Sequence, residues 1–341
     1  MKAAVLYEPL KLEVREDIEI PKLRKKEVLI KVRSVGVCPN DVRYYVGEGH
    51  HWHIPYGENS YGLQGHEYSG EVVEIGDEVE GISPGDYVSI NPIVPCGECR
   101  YCRMGFTNVC VKKTLYLRAY AEYAVGYAPN AYKFPKNIDF EEASFAEPLA
   151  CVLNAAKIAS IQPGDVVLVV GAGPMGLLHT MLAKMVGATV VVSEIIPERL
   201  QNAQNFGADY AHTPATDELS KTVSQLTDGV GADVVMVSIG NPAAIEQHIK
   251  YVRKRGTVII FGGIVPAKNI SVDPNQIHYY EYRLTGSSDY TAEEFRRAVN
   301  IISRRKLDVR KLISHRFQLD QVALAFETSL SKKGLKVVVK P

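Results

Sequence analysis

The chain has 341 residues, of which 46% are hydrophobic and 23% are charged, and its formal net charge at pH 7 is zero. This balance is typical of a globular chain with about two domains, and it argues against a nucleic-acid or anionic-membrane partner, which would require a basic surface. No apolar signal segment or long apolar run is visible, so we expect a cytoplasmic chain. Four of the six cysteines lie close together, which favours a metal site over a disulfide framework.

The first 150 residues are rich in short β-type runs, whereas the segment after them alternates strands and helices. Runs such as EVLIKVRSVGV, EYSGEVVEIG and DYVSINPIV are separated by Gly/Pro turns, which predicts a twisted β body. From DVVLVV to GTVIIFGG, strands alternate with helical stretches, which predicts a parallel sheet covered on both faces. An amphipathic helix, TAEEFRRAVNIISRRKL, and a closing strand, LKVVVKP, complete the chain.

These changes of pattern predict two domains of α/β class. A dinucleotide-type domain, residues 151–286, is inserted near the end of a β-rich domain formed by residues 1–150 and 287–341. A cleft between two such domains is a natural place for a ligand.

The first candidate site in chain order combines a cysteine with polar residues further along. Cys38 follows a strand-like run, His66 and Glu67 follow a glycine, and Glu147 precedes a proline. One sulfur, one imidazole and one or two carboxylates suit a catalytic zinc that keeps a position open. Each residue alone is more often a buried cysteine, a structural histidine or a solvated glutamate, and their long spacing leaves the choice open.

A four-cysteine segment, PCGECRYCRMGFTNVC, forms the second candidate site. Its C-x2-C-x2-C-x7-C pattern consists of Cys96, Cys99, Cys102 and Cys110. Four thiolates on a short loop can surround one zinc tetrahedrally and leave no position for a substrate. The segment therefore predicts a structural zinc that orders its own lobe, although four thiolates also suit an iron–sulfur cluster.

A glycine motif follows the strand VVLVV and opens a helix. The motif GAGPMG consists of Gly171, Ala172, Gly173, Pro174, Met175 and Gly176, and the helix carries an apolar face with Met175, Leu178, Leu182 and Met185. Such glycines permit a tight turn and the approach of a pyrophosphate, which free N–H groups at the helix start can bind. The stretch predicts a dinucleotide site; the alternative is a strand–turn–helix that needs glycine only to turn.

Residues beyond the glycine motif predict the type of dinucleotide. Glu194 ends the strand TVVVSE, where a carboxylate can accept hydrogen bonds from an adenosine ribose and repel a 2′-phosphate. We therefore predict NAD rather than NADP, although Arg199 could moderate this preference. Gly262 and Gly263, after the strand TVIIF, lie where a loop could approach the nicotinamide or could form a simple turn.

Taken together, the motifs resemble the zinc-dependent medium-chain dehydrogenases almost from end to end, in GVC, GHEYSGEVVEIG, the four-cysteine loop, EPLACVLNA, GAGPMG and LISHRFQLDQVALAFETS. AEPLA is similar to the polyol branch, the sorbitol-dehydrogenase-like enzymes. The resemblance implies a GroES-like catalytic domain, a doubly wound Rossmann cofactor domain, catalytic and structural zinc, NAD, and a homotetramer or homodimer. It also implies that Cys38, His66 and Glu67 bind the catalytic zinc, and that Glu147 binds this metal or its water.

The expected activity is hydride transfer from a secondary alcohol of a polyol such as sorbitol or xylitol to NAD, which yields a ketone. Arg43, Arg118 and Arg283 could supply positive charge for a phosphorylated or acidic polyol, or they could lie in surface salt bridges. Threonine and 2,3-butanediol remain alternative substrates. A non-catalytic dinucleotide-binding protein with structural zinc only is the alternative from another class.

The residues that follow Cys38 depart from the pattern of the family. Where the family usually has a serine or threonine and then a histidine for a proton relay, this chain has Asn40 and Arg43. Neither side chain readily acts as an acid or base near neutral pH. The histidines of GHHWH, residues 49–53, could take over the proton or could simply be solvated.

Overall fold

A computed structural model describes residues 1–48 and 54–341, and these residues divide into two compact units. The first unit consists of residues 1–150 and 290–341, and the second of residues 151–289. Within the described ranges, no helix combines the length and the apolar character that a membrane crossing requires.

The amino-terminal part of the first unit consists mainly of short strands. In chain order its elements are β1 (Ala3–Glu8), β2 (Lys11–Arg15), β3 (Glu27–Gly36), α1 (Pro39–Val46), β4 (Glu67–Ile75), β5 (Tyr87–Ile90), β6 (Ile93–Val94), α2 (Arg100–Arg103), β7 (Thr114–Leu115), β8 (Tyr123–Tyr127), β9 (Ala131–Lys133), α3 (Phe140–Ala143) and α4 (Ala146–Ala159). Helix α4 continues into the second unit.

The second unit alternates strands and helices. Its elements are β10 (Val166–Val170), α5 (Pro174–Val186), β11 (Thr189–Ser193), α6 (Pro197–Ala203), β12 (Tyr210–His212), α7 (Glu218–Leu226), β13 (Ala232–Val237), α8 (Pro242–Ile249), β14 (Val252–Ile260), α9 (Pro274–Tyr280) and β15 (Arg283–Gly286). The chain then returns to the first unit with α10 (Ala292–Ser303), β16 (Ile313–Gln318), α11 (Val322–Leu330) and β17 (Lys336–Lys340).

The main sheet of the first unit has the strand order β16-β17-β3-β4-β5-β9, with β8 also paired to β3. Strands β3 and β4 are antiparallel, and their register places Gly36 opposite Glu67. On the other side of β3, the antiparallel strand β17 places Val338 opposite Gly36. The end of β3, the start of β4 and the start of β17 therefore meet at one edge of the sheet, although they are far apart in the sequence.

The six-stranded sheet of the second unit is parallel throughout and has the order β12-β11-β10-β13-β14-β15. This is the doubly wound arrangement, in which ligands bind beyond the carboxyl ends of the central strands. The predicted parallel sheet is therefore confirmed. Two edge strands, β12 and β15, are additional to the strands predicted, and each has only three or four residues.

Helix α5 is buried more completely than predicted. The prediction of a single apolar face was wrong, because every residue from Gly176 to Ala183 is buried and the expected face member Met185 is 41% exposed. His179 illustrates the reason: its ring packs edge-on against Phe261, with 4.5 Å between the ring centroids. A helix that is covered on more than one side carries no simple amphipathic pattern.

His179 should make the second unit sensitive to acid. Burial lowers the pKa of His179 to about 3, so the folded state keeps this ring neutral while an unfolded chain binds a proton below its ordinary pKa of 6.5. Stability is therefore lost as the pH falls from 6.5 towards 3, at about 1.4 kcal/mol per pH unit. We expect the unfolding free energy of the native chain to fall between pH 7 and pH 5 by about 2 kcal/mol more than that of His179→Leu, measured in urea. Equal losses in the two proteins would contradict this role.

Candidate active site and zinc centres

The first candidate site forms where the end of β3, the start of β4 and the start of β17 meet. Cys38 lies two residues after β3, directly before α1, whose first residue is Pro39. The backbone N–H of Cys38 donates to the Asp41 carboxylate over 3.0 Å. A proline at the first helical position and a carboxylate that accepts from the preceding backbone are standard features of a helix start. The sequence CPND therefore fixes where the thiol lies.

Cys38, His66 and Glu67 form one compact cluster. A ligand atom of each residue lies within 4.8 Å of those of the other two. His66 and Glu67 are both buried, and the set offers sulfur, nitrogen and oxygen ligands to one cation. Burial raises the pKa of the Cys38 thiol, and a bound zinc would favour its thiolate form. The donor set and its separations fit a zinc ion with three protein ligands and an open position.

Asp41 orients His66, and the sequence analysis did not identify it as a site residue. The Asp41 Oδ1 atom lies 3.3 Å from His66 Nδ1, and the same nitrogen donates to the backbone oxygen of Gln64 over 2.9 Å. With two acceptors at Nδ1, the proton is assigned there, and Nε2 is left to bind a metal. A carboxylate behind a metal-binding histidine is a frequent arrangement that fixes the ring and its tautomer.

Lys336 is a second residue of this region that the sequence did not reveal. It begins β17, is only 5% exposed, and forms an ion pair with the Glu67 Oε2 atom. Burial alone would lower its pKa, but the negative charge of Glu67 outweighs burial and raises the pKa, so the ammonium stays charged. A Cβ atom on Gly36 would collide with Glu67 Oε2 and lie 2.9 Å from Lys336 Cε, so a larger residue at this place in β3 would disturb the ion pair.

Glu147, on α4, lies near this region without joining the metal-binding cluster. The cluster found among the described residues contains Cys38, His66 and Glu67 only. Glu147 is buried, and its negative charge contributes to the raised pKa of Lys336. Its carboxylate is thus close to the same ammonium group that pairs with Glu67, and its role as a zinc ligand stays a prediction.

The two residues that depart from the family pattern lie on α1. Arg43 Nη1 donates to Asn40 Oδ1 over 3.4 Å, as residues three apart on a helix can do. The histidines at residues 49–53, which were expected as substitute proton carriers, lie outside the described residues. The route of the proton therefore stays a prediction.

The three arginines considered for a charged substrate have different surroundings. Arg118 donates to the backbone oxygens of Asn59 and Tyr61, at 2.7 and 3.0 Å, and its guanidinium stacks 4.3 Å above the Tyr61 ring. Arg283 belongs to the second unit and donates to Thr257 Oγ1 at 2.8 and 3.1 Å. The protein itself therefore engages both side chains, whereas Arg43 makes a long hydrogen bond to a neighbouring amide.

The four cysteines form a second compact cluster in the first unit. They lie in a lobe, residues 93–115, that begins with β6 and ends with β7, and these two short strands pair antiparallel. Helix α2 begins directly after Cys99. The sulfurs of Cys96 and Cys102 are 3.9 Å apart, and those of Cys96 and Cys110 are 3.5 Å apart. Four sulfurs at about 2.3 Å from a tetrahedral zinc would be separated by about 3.8 Å. The cluster therefore fits a structural zinc.

The glycine motif of the second unit has the geometry of a phosphate-binding turn. Gly171 adopts a φ of +95°, which favours glycine, and α5 begins directly after Gly173. A Cβ atom on Gly173 would meet nothing closer than Arg199 Nη1 at 3.7 Å, whereas one on Gly176 would collide with the Gly171 carbonyl oxygen. Backbone therefore packs tightly on one side of the turn and leaves room on the other, where a pyrophosphate would fit.

Glu194 is fixed at the end of β11 beside this turn. Its Oε2 atom accepts a 2.8 Å hydrogen bond from the Ala172 backbone, and Oε1 accepts from the backbones of Ile195 and Ile196 at 2.7 and 2.9 Å. After the carboxyl end of β14, a Cβ atom on Gly262 would lie 2.5 Å from the backbone of Ile239, so close packing accounts for this glycine. Contact of Gly262 or Gly263 with a nicotinamide stays a prediction.

Comparisons with known proteins agree with these features. Residues 24–136 match the family model of the alcohol dehydrogenase GroES-like domain, and residues 174–304 match that of the zinc-binding dehydrogenase. The chain is 33% identical to a sorbitol dehydrogenase of Halalkalibacterium halodurans, over 93% of this chain and 92% of that one. It is 36% identical to an L-threonine 3-dehydrogenase of Pyrococcus furiosus, over 94% and 93% of the two chains.

A solved structure extends this similarity to the whole fold. A zinc-binding dehydrogenase from Sinorhizobium meliloti 1021, solved with NADP, has a TM-score of 0.90 and 29% identity, over 100% of this chain and 99% of that one. The predicted fold class, a GroES-like domain with a Rossmann domain, is confirmed. The expected cofactor types, zinc and a nicotinamide dinucleotide, are confirmed as well. The chain therefore belongs to the zinc-dependent medium-chain dehydrogenases.

Proposed function

We propose that this dehydrogenase oxidises a secondary alcohol of a sorbitol- or xylitol-like polyol to a ketone and reduces NAD. The observation that carries the proposal is the convergence of Cys38, His66 and Glu67 on one buried point, with ligand atoms that all lie within 4.8 Å of one another. Zinc bound there would stabilise negative charge on an alcohol oxygen, and a bound nicotinamide would accept the hydride.

The residues around the cluster have separate tasks in this proposal. Asp41 holds the His66 ring so that Nε2 stays available to the metal. Lys336 pairs with Glu67. Its positive charge offsets part of the negative charge that the Glu67 and Glu147 carboxylates and a zinc-bound Cys38 thiolate would bring to one buried place. Asn40 can donate a hydrogen bond to a substrate hydroxyl but cannot pass a proton on.

The preference for NAD over NADP rests on Glu194. Its carboxylate is held by three backbone N–H groups beside the phosphate-binding turn: Oε1 accepts two of them and Oε2 accepts one, so Oε2 keeps a lone pair that can accept from a ribose. A fixed negative charge there disfavours a 2′-phosphate. The similar Sinorhizobium meliloti protein was solved with NADP, so the preference needs a direct test.

Neutralising Glu194 should shift the choice of cofactor towards NADP. For Glu194→Gln we expect the ratio of kcat/KM with NAD to kcat/KM with NADP to fall about tenfold, because about 1.4 kcal/mol of charge repulsion is lost. Glu194→Asp keeps the charge and serves as the matched control, whose ratio should stay near that of the native chain. An unchanged ratio in Glu194→Gln would remove Glu194 from this role.

The polyol is favoured over other alcohols by the AEPLA motif, while the relatives leave the choice open. A sorbitol dehydrogenase and an L-threonine 3-dehydrogenase are similarly close to this chain, at 33% and 36% identity. One observation still favours a phosphorylated polyol: the guanidinium of Arg43 lies close to Cys38 in the sequence. A homotetramer or homodimer and a cytoplasmic location stay predictions.

The test is NAD reduction measured in parallel with sorbitol, xylitol, a polyol phosphate, threonine and 2,3-butanediol. The proposal expects the highest kcat/KM with one of the polyols, and a preference for the polyol phosphate would assign a role to Arg43. A preference for threonine or butanediol would overturn the substrate class but not the enzyme. Absence of turnover with every alcohol, in a chain loaded with zinc, would overturn the proposed reaction.

A further inference from the structure

The hydroxyl group of Tyr120 lies in the core behind the Cys38–His66–Glu67 cluster. It donates to Asp41 Oδ2 over 2.7 Å and lies 3.2 Å from the Gly36 backbone oxygen. Tyr120 and Asp41 are both 0% exposed, so bulk water does not reach this carboxylate. Burial and the Asp41 charge raise the pKa of Tyr120 well above its ordinary value, so the hydroxyl keeps its proton and acts as a donor.

Asp41 links two members of the cluster at once. Its Oδ2 atom accepts the backbone N–H of Cys38 at 3.0 Å, and its Oδ1 atom lies 3.3 Å from Nδ1 of His66. A rotation of this carboxylate would therefore disturb the start of α1 and the His66 ring together. The Tyr120 hydroxyl binds the same oxygen as Cys38 and so resists that rotation.

The Tyr120 ring is itself held in place on several sides. It packs edge-on against Phe326, with 5.1 Å between the ring centroids. Its backbone N–H donates to the Gly62 oxygen over 3.2 Å, and a Cβ atom on Gly65 would lie 2.9 Å from Tyr120 Cδ2. A phenylalanine would fill the same space, but it would leave the buried Asp41 carboxylate without one of its donors.

We propose that Tyr120 is a positioning residue of the catalytic zinc site, which acts by fixing the Asp41 carboxylate that orients His66 and Cys38. The inference rests on the proposed function, because it assumes that the cluster binds zinc. Mutation of a residue that hydrogen-bonds to a zinc-binding histidine typically lowers metal affinity by about 10- to 100-fold. Since Tyr120 acts through Asp41 rather than on the ligand itself, we expect an effect at the lower end, about tenfold.

The test compares two conservative variants that each remove one buried hydroxyl. Tyr120→Phe removes the donor to Asp41, and Tyr68→Phe is the control. Tyr68 is 1% exposed, its hydroxyl donates to the Val125 backbone oxygen over 3.4 Å, and its side chain points to the face of β4 opposite that of Glu67. Chelator competition measures the dissociation constant of the zinc at the Cys38–His66–Glu67 cluster, at chelator concentrations that leave the four-cysteine zinc in place. Tyr120→Phe should bind it about tenfold more weakly, and Tyr68→Phe within about twofold of the native chain.

A double-mutant cycle shows whether Tyr120 acts through Asp41. In an Asp41→Ala background, Tyr120→Phe should change the zinc dissociation constant by less than about twofold, because the carboxylate that it positions is gone. Unchanged affinity in Tyr120→Phe, an equal loss in Tyr68→Phe, or additive effects in the cycle would overturn the role of Tyr120. A native chain that binds only the four-cysteine zinc would overturn both this inference and the proposed function.

Discussion

Replacement of Cys38 with serine is expected to lower NAD reduction by at least about a thousandfold. A zinc ion held by Cys38 would stabilise negative charge on the alcohol oxygen by several kcal/mol, and about 4 kcal/mol corresponds to a thousandfold in rate. Serine keeps the size of the side chain but replaces a thiolate ligand with a hydroxyl that stays protonated. The measurement is kcat/KM with the best polyol, together with the zinc content of each protein.

Cys151 supplies the matched control for this variant. It belongs to neither of the cysteine clusters found among the described residues. Cys151→Ser should keep both zinc ions and its turnover, whereas Cys38→Ser should lose one zinc and keep the other. Undiminished turnover in Cys38→Ser would contradict the assignment of Cys38 as a zinc ligand.

Replacement of Cys110 with serine is expected to unfold the four-cysteine lobe and release its zinc. Cys110 is the most deeply buried of the four, and backbone N–H groups of Cys96 and Lys112 lie 3.3 and 3.4 Å from its sulfur. Structural zinc supplies on the order of 10 kcal/mol of folding free energy to small metal-bound domains. The lobe has little else to hold it, because β6 and β7 are the paired strands found in it among the residues that the structure describes.

Trypsin provides the measurement for the lobe. Exposed Arg100, Arg103 and Lys112 lie within it, and cleavage there requires the local backbone to open. We expect cleavage between residues 96 and 113 to be at least about tenfold faster in Cys110→Ser than in the native chain or in Cys151→Ser. Equal cleavage rates, or a full zinc content in Cys110→Ser, would contradict a structural zinc at this place.

The features that the sequence predicted well depend on short spacing. The four cysteines lie within fifteen residues of one another, and the glycine motif lies in a single turn between β10 and α5, so a linear pattern is enough to recognise each. The parallel sheet was equally accessible, because runs of β-branched residues between helices have few other solutions. Short edge strands such as β12 and β15 carry too little pattern to predict.

The features that the sequence did not reveal depend on strand register and on long-range contacts. Lys336 meets Glu67 because β17 and β4 both pair with β3, and nothing local distinguishes this lysine from a solvated one. Tyr120 meets Asp41 across 79 positions of the chain. Asp41 did offer a local signal, since a carboxylate three residues after Cys38 is typical of a helix start, but its second contact, to His66, required the fold.

The central claim is that the chain holds two zinc ions, one in the four-cysteine lobe and one bound by Cys38, His66 and Glu67. The zinc content of the purified native chain, measured by native mass spectrometry, tests it most directly. We predict two zinc ions per chain. A single zinc that persists in Cys38→Ser would contradict the claim and would favour a dinucleotide-binding protein with structural zinc only.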